Sequence, residues 1–216
     1  MKLNSIREPM NSLTHFIGMI LSAVAFILMF NKAIATGRDA AGLTSIIIFG
    51  VSLLLLYSAS TVYHAVVASP LAIAWLRKVD HAMIFVLIAG TYTPFCLIAL
   101  KDSIGYPLLI VIWSIAISGI LFKLVWFKCP RFISTALYIG MGWLIVFAFG
   151  PLTTYVPTTG VILLIAGGII YTLGGVIYAL KPAFLESKYL GFHEIFHLFI
   201  LAGSFAHVLA IYNYVL

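Results

Sequence analysis

Charged side chains are scarce in this sequence, and their scarcity excludes an ordinary soluble domain. Only 8% of the 216 residues are Asp, Glu, Lys or Arg, whereas 63% are hydrophobic. A soluble domain of this size needs far more polar side chains to cover its surface. Apolar runs of about 20 residues instead recur with short polar breaks, and each run is long enough to cross about 30 Å of hydrocarbon. The sequence therefore predicts an integral membrane protein.

Two further absences narrow the possible functions. The chain has only two cysteines, Cys96 and Cys129, without a C-x-x-C pair, so neither a disulfide framework nor a cysteine metal site is indicated. We expect both thiols to be unpaired and buried. The net charge of +6 comes without a basic stripe interleaved with aromatic residues, which argues against nucleic-acid binding.

The apolar runs predict a single domain over residues 1–216, an all-α bundle of seven transmembrane helices. Strands are excluded because the runs lack the alternating pattern of membrane barrels, and open strands leave backbone groups unpaired in lipid. Glycines at 140, 142, 167, 168, 174 and 175 are expected to allow close helix packing. The predicted spans lie near residues 12–35, 42–68, 79–100, 105–127, 132–150, 159–180 and 190–215.

The distribution of Lys and Arg predicts the orientation, because short loops rich in these residues stay in the cytoplasm. Nine lie in the N-terminal segment and in the loops or span ends on the same side, against three on the other side. We therefore expect a cytoplasmic N-terminus, an extracytoplasmic C-terminus and a multi-pass location in the inner (cytoplasmic) cell membrane. The nine residues are Lys2, Arg7, Arg77, Lys78, Lys123, Lys128, Arg131, Lys181 and Lys188.

Four ionisable residues converge on the side of the membrane predicted to be cytoplasmic. His64 lies near the end of the second span, Asp80 begins the third, and His193 and His197 open the seventh. Such residues are costly in a membrane and commonly mark functional sites. Topology alone brings the four to one depth.

The spacing of His193 and His197 places both imidazoles on one helical face, as in a metal-chelating pair. With His64 they supply three nitrogen ligands and leave one position open, the usual arrangement of catalytic zinc. One zinc ion is therefore predicted, although copper or iron is not excluded by ligand softness. The alternative is that these histidines form hydrogen bonds between helices.

Other polar residues are assigned supporting roles. Ser60 lies one turn from His64 on the same face, and its hydroxyl is either part of the site or bonded to a carbonyl of its own helix. Glu8, Asn11 and His15 precede or open the first span, where they either surround and gate the metal site or cap the helix. His81 is expected at the membrane interface. His207 is expected too deep to join the site, as a buried hydrogen-bonded group.

Residues 193–197 also match the H-E-x-x-H string of zinc proteases, in which the glutamate is the general base. An intramembrane protease would leave His64 and Asp80 unexplained. It would also require an aspartate ligand from a later span. The string is therefore a weaker interpretation than the three-histidine site.

Taken together, these motifs resemble the bacterial hemolysin III family, within the progestin and adipoQ receptor group that includes the adiponectin receptors. The resemblance covers nearly the whole chain. It implies seven helices with an internal N-terminus, zinc bound by His64, His193 and His197, and Asp80 close to the water on the metal. The residues that carry it are Glu8, Asn11, Thr14 and His15; Ser60-Thr61-Val62-Tyr63-His64; Val79-Asp80-His81; residues 89–95; Met141-Gly142-Trp143; His193 and His197; and Gly203, Ser204 and His207.

Relatives in the wider group, including alkaline ceramidases, imply a zinc-dependent hydrolase of lipid amide or acyl bonds, working from the cytoplasmic leaflet. In this hypothesis membrane lipids are the partners, Asp80 takes a proton from water and Ser60 helps to hold the oxyanion. The alternatives are a non-catalytic sensor or regulator of membrane state with structural zinc, and a lytic or pore-forming protein. Pores usually show a polar stripe along several spans, whereas the polar residues here gather at one end. The oligomeric state stays open.

Overall fold

The computed structural model describes residues 6–126, 129–182, 185, 187 and 191–216, and it contains seven helices long and apolar enough to cross a membrane. The all-α prediction of seven spans is confirmed. Predicted span ends at 127 and 190, and the charges of Lys2, Lys128 and Lys188, lie outside the described residues. The helices are α1 (Pro9–Ala35), α2 (Ala40–Ala65), α3 (Pro70–Ala99), α4 (Gly105–Val125), α5 (Arg131–Tyr155), α6 (Thr158–Leu180) and α7 (Phe192–Tyr214).

The third helix begins nine residues earlier than the apolar pattern indicated. Pro70 occupies its first turn, where a missing N–H costs nothing, and the Ser69 hydroxyl accepts a hydrogen bond from the Ala72 N–H at 3.3 Å. The second helix ends earlier than expected, at Ala65, because Val66 is extended. His64 consequently lies in the last turn of α2.

The fifth helix is irregular at its centre. Regular α-helix over Arg131–Gly142 gives way to a 3₁₀ segment over Trp143–Ala148 before the α-helix resumes. The Tyr92 hydroxyl of α3 enters this break, donating to the Gly142 oxygen at 2.6 Å and accepting from the Ile145 N–H at 2.8 Å. A side chain that inserts into the backbone ladder is a recognised cause of such a change in helix.

Six of the helices close into a ring. In order around it, α1, α2, α3, α5, α6 and α7 each pack on the next, α7 returns to α1, and α4 packs outside the ring on α3. Many large apolar side chains face outward, among them Val125, Phe147 and Phe132, which are 84%, 82% and 65% exposed. Such a surface suits lipid.

Glycine supports close packing at only some of the expected positions. A Cβ at Gly167 would lie 2.7 Å from the His207 ring, and one at Gly174 would lie 2.7 Å from Phe199, so α6 and α7 depend on both glycines. The expectation is wrong for Gly140 and Gly142, which face open space. Both cysteines are free, as predicted, but only Cys96 is fully buried.

One end of the bundle gathers the starts of α1, α3, α5 and α7 and the ends of α2, α4 and α6. We call it the basic end, after the Lys and Arg residues that lie there. The described members are Arg7, Arg77, Lys78, Lys123, Arg131 and Lys181.

Candidate metal centre

Three histidines from two helices meet at the basic end. His64 on α2 and His193 and His197 on α7 each offer a nitrogen, and these nitrogens lie within 4.8 Å of one another. The ring centres of His64 are 5.0 Å from both other rings, and those of His193 and His197 are 4.6 Å apart. His64 and His197 are 1% exposed. The cluster could hold a metal ion.

Two of these rings have a hydrogen-bond partner at Nδ1, and the partner indicates which nitrogen carries the proton. His64 Nδ1 contacts Glu8 Oε2, and an ionised carboxylate only accepts, so Nδ1 carries the proton. His197 Nδ1 lies 3.1 Å from Thr14 Oγ1. The Thr14 hydroxyl donates its own proton to the main-chain oxygen of Asn11 at 2.9 Å. We assign the ring N–H proton of His197 to Nδ1, where it is donated to Thr14 Oγ1. Both Nε2 atoms are left with lone pairs.

This arrangement fits a divalent metal. Metal-binding histidines usually donate their second ring N–H to a carboxylate or another acceptor, which orients the ring. His64 Nε2 is buried and has no hydrogen-bond partner in the described parts of the chain. Zinc with N–Zn bonds of about 2.0–2.1 Å in tetrahedral geometry brings its nitrogens to about 3.4 Å apart, so small ring rotations close the cluster around an ion.

The other two predicted site residues border a cavity beside the cluster. Asp80 is buried and lines the cavity with Ser60, His193 and His197. Ser60 Oγ has no hydrogen bond of normal geometry among the residues described, so the alternative of a bond to its own helix is not observed; the carboxyl group of Asp80 is close enough to interact with it. The cavity has a volume of about 170 Å³ and runs between the ring helices. The Asp80 carboxyl group and the Ser60 hydroxyl thus face the same cavity as His193 and His197.

The residues expected around the metal are at the site. Besides its contact with His64, Glu8 pairs with Arg7 at 3.2 Å. His15 stacks on His197 with ring centres 3.5 Å apart, lines the cavity, and has neither ring nitrogen bonded within the described ranges. Asn11 is buried next to this group. The capping alternative is wrong for Asn11 because α1 begins at Pro9, with Glu8 as its N-cap.

For three other polar residues, the structure gives a role or environment that differs from the one expected from the sequence. The Glu194 carboxylate accepts the Gly191 N–H at 2.9 Å and so caps the start of α7, which explains it without a protease mechanism. His81 is half-buried and borders the cavity. His207 is buried at the deep part of that cavity, but the hydrogen bond expected for it is missing at Nδ1 among the described residues.

Thr14 is the contact that sequence reasoning missed. Its position beside His15 gives no metal-site spacing, and only the packing of α1 against α7 brings it to His197. A signal was present in the sequence as a run of polar residues at the start of an apolar span, and the structure buries them. These residues are Asn11, Ser12, Thr14 and His15.

The fold and the site together define a class. Seven membrane-spanning helices and a three-histidine cluster between α2 and α7 describe an integral multi-pass membrane protein with a possible metal centre.

Comparison with known proteins gives the family within that class. The profile of the family "Haemolysin-III related" matches residues 3–208, and the chain belongs to this family. It is 42% identical over 211 residues to Hemolysin-3 of Bacillus cereus, covering 97% of this chain and 92% of that protein. It is 40% identical over 201 residues to the Hemolysin-3 homolog of Bacillus subtilis (strain 168), covering 92% and 90%.

A more distant relative is human. The chain is 27% identical over 182 residues to the monocyte to macrophage differentiation factor of Homo sapiens, covering 77% of this chain and 68% of that protein. The family resemblance drawn from the motifs is confirmed by these matches.

Proposed function

We propose that this protein is a zinc-dependent hydrolase of lipid amide or acyl bonds, located in the inner membrane with its basic end in the cytoplasmic leaflet. The observation that carries the proposal is the pair of imidazoles of His64 and His197, each with one nitrogen held by Glu8 or Thr14 and the other without a hydrogen-bond partner among the described residues. The cluster offers three protein ligands within the described ranges, and closed structural zinc sites have four. The free position favours catalysis over the alternative of a regulator with structural zinc.

The chain's own residues have distinct roles in this reaction. Bound zinc would activate a water molecule and polarise a carbonyl group. Asp80 is the residue that takes the water proton, and the unbonded Ser60 hydroxyl donates to the developing oxyanion. His15, stacked on His197 with neither ring nitrogen bonded to a described residue, holds a polar group of the substrate.

The cavity supports a lipid substrate. It extends from His197 to His207, ten residues further along α7 and thus about 15 Å deeper. Leu56, Ile88 and Leu164 are among its lining residues. A long apolar space that starts at the metal site suits an acyl chain whose carbonyl lies at the metal.

Hydrolysis by variants in lipid nanodiscs tests these roles. Purified protein loaded with zinc should release fatty acid from a panel of ceramides and acyl glycerolipids. Asp80→Asn should lower the rate about 10²–10⁴-fold, the usual contribution of a general base, while zinc content stays at the wild-type level. Ser60→Ala should lower the rate by less.

Ser52 supplies the matched control for Ser60. It is equally buried on the same helix, but its hydroxyl donates to the Phe49 oxygen at 2.7 Å. Ser52→Ala should therefore leave the rate unchanged. Zinc-loaded wild-type protein that releases nothing, beside an active ceramidase, would refute the proposal and leave the regulator as the better reading.

A further inference from the structure

Lys123 occupies an unusual place for a lysine at the end of a membrane helix. It lies in the last turn of α4, at the basic end, where lysine side chains normally extend to the water interface. Here the side chain is only 8% exposed and borders the cavity instead. Burying an ammonium group in this position is costly unless an anion accompanies it.

The partner of Lys123 carries no charge. Its ammonium donates to the Ser134 hydroxyl at 2.8 Å, and Ser134 is itself buried. The ion pairs within the described ranges both involve Glu8, which binds Arg7 and His64. Lys123 can donate two further hydrogen bonds, and no described carboxylate receives them.

A second cation borders the same cavity. Arg131, at the start of α5, has its guanidinium 5.2 Å from the ring centre of Tyr178 and 5.6 Å from that of Phe192, and it forms no salt bridge with a described carboxylate. These ring contacts use none of the guanidinium N–H groups as hydrogen-bond donors to oxygen, so the N–H groups can bind a planar or tetrahedral anion.

Tyr178 links this pair of cations to the metal centre. Its ring lies 5.5 Å from the His193 ring on one side and 5.2 Å from Arg131 on the other. One aromatic ring therefore separates the guanidinium from a predicted zinc ligand. A headgroup and the bond to be cleaved lie at a similarly short separation in an acyl lipid.

We propose that Lys123 and Arg131 bind the phosphate of an acyl lipid, so that the substrates of this cavity are lipids with a negatively charged headgroup. The inference rests on the proposed lipid hydrolase, whose substrate class it specifies. The phosphate supplies the counter-ion that no described residue gives to Lys123. The acyl chain follows the apolar cavity away from the basic end.

Binding rather than turnover tests the inference, so that its failure is separate from that of the hydrolase. Native mass spectrometry of the full chain would compare ceramide with ceramide 1-phosphate, and diacylglycerol with phosphatidic acid. The members of each pair differ in one phosphate. Wild-type protein should bind the phosphate lipid about 10-fold or more tightly, as expected for hydrogen bonds between charged groups.

Variants at the basic end identify the residues responsible. Lys123→Gln and, separately, Arg131→Gln should remove most of the preference for the phosphate lipid, and Lys123→Arg should keep it. Lys78→Gln is the control for charge, because Lys78 lies at the same end and donates to the Leu124 main-chain oxygen at 2.7 Å. It should keep the full preference. Arg131 is exposed, so its variant folds even if Lys123→Gln does not.

Several results would overturn the proposal. Equal binding of charged and uncharged lipids would exclude phosphate recognition, and an equal loss in Lys78→Gln would show a general surface effect. Competition by inorganic phosphate alone would assign the cations to a free anion. Competition by a free fatty acid would assign them to a carboxylate product.

Discussion

The two ends of the bundle use their charged side chains in different ways. At the end opposite the basic end, Arg38 donates to the main-chain oxygens of Val215 and Leu216 at 2.8 and 2.9 Å, and Asp39 accepts the Gly42 N–H at 2.8 Å. These charged groups hold helix ends. At the basic end, His64 Nε2 and Ser60 Oγ are buried and unbonded within the described residues.

The contrast distinguishes polar groups that hold helix ends together from polar groups that are available to a ligand. A buried polar atom without a partner costs about 1–3 kcal/mol, so a fold retains it mainly where a ligand completes it. At the far end main-chain groups accept from Arg38 Nη2 and donate to Asp39, although Arg38 Nε has no partner among the described residues. At the basic end neighbouring side chains contact only one nitrogen of His64 and one of His197, which leaves the other nitrogen of each ring for a metal.

Removing a histidine ligand should reduce zinc binding more than any other change. It also tests the contrast between the two ends of the bundle most directly. We expect His197→Ala to weaken zinc binding by more than about 100-fold. Loss of only the group that accepts the second ring N–H of a metal-binding histidine already lowers metal affinity about 10–100-fold. Zinc content of the purified protein, measured by plasma mass spectrometry, checks this. His81→Ala, a half-buried histidine of the same end, should retain zinc. Full zinc content in His197→Ala would show that the cluster is not the metal site.

Loss of the groups that accept the Nδ1 protons of His197 and His64 should reduce zinc affinity to an intermediate extent. Thr14→Val removes the acceptor of the His197 Nδ1 proton, and Glu8→Gln weakens that of His64. Each should lower zinc affinity about 10–100-fold in competition with a chromophoric chelator. Thr14→Ser, which keeps the hydroxyl, should restore it. Unchanged affinity in Thr14→Val would mean that His197 is oriented by packing alone.

A change at the far end should give the smallest effect and should leave the metal untouched. Arg38→Gln removes partly buried hydrogen bonds to Val215 and Leu216, which water can replace in part. We expect a loss of about 1 kcal/mol in the free energy of unfolding, measured in detergent, with normal zinc content. Loss of zinc in this variant would show that the two ends are coupled.

Topology made much of the site predictable. Each span crosses the same thickness, so residues at matching distances from alternating span ends reach one depth, and His64, His193 and His197 could be grouped from spacing alone. The same argument placed Glu8 and His15 near them. It could not show that His15 stacks on His197 or that Asn11 lies inside α1, because those outcomes depend on helix rotation and on the start at Pro9.

The sequence by itself determined seven apolar spans and the set of histidines at one depth, because length, hydrophobicity and the i, i+4 spacing are local properties of the chain. Only the tertiary structure decided which neighbours complete those histidines. Thr14 reaches His197 across 183 residues, and Lys123 turns inward to Ser134. Each outcome depends on how helices rotate and pack against one another, which hydrophobicity alone does not encode.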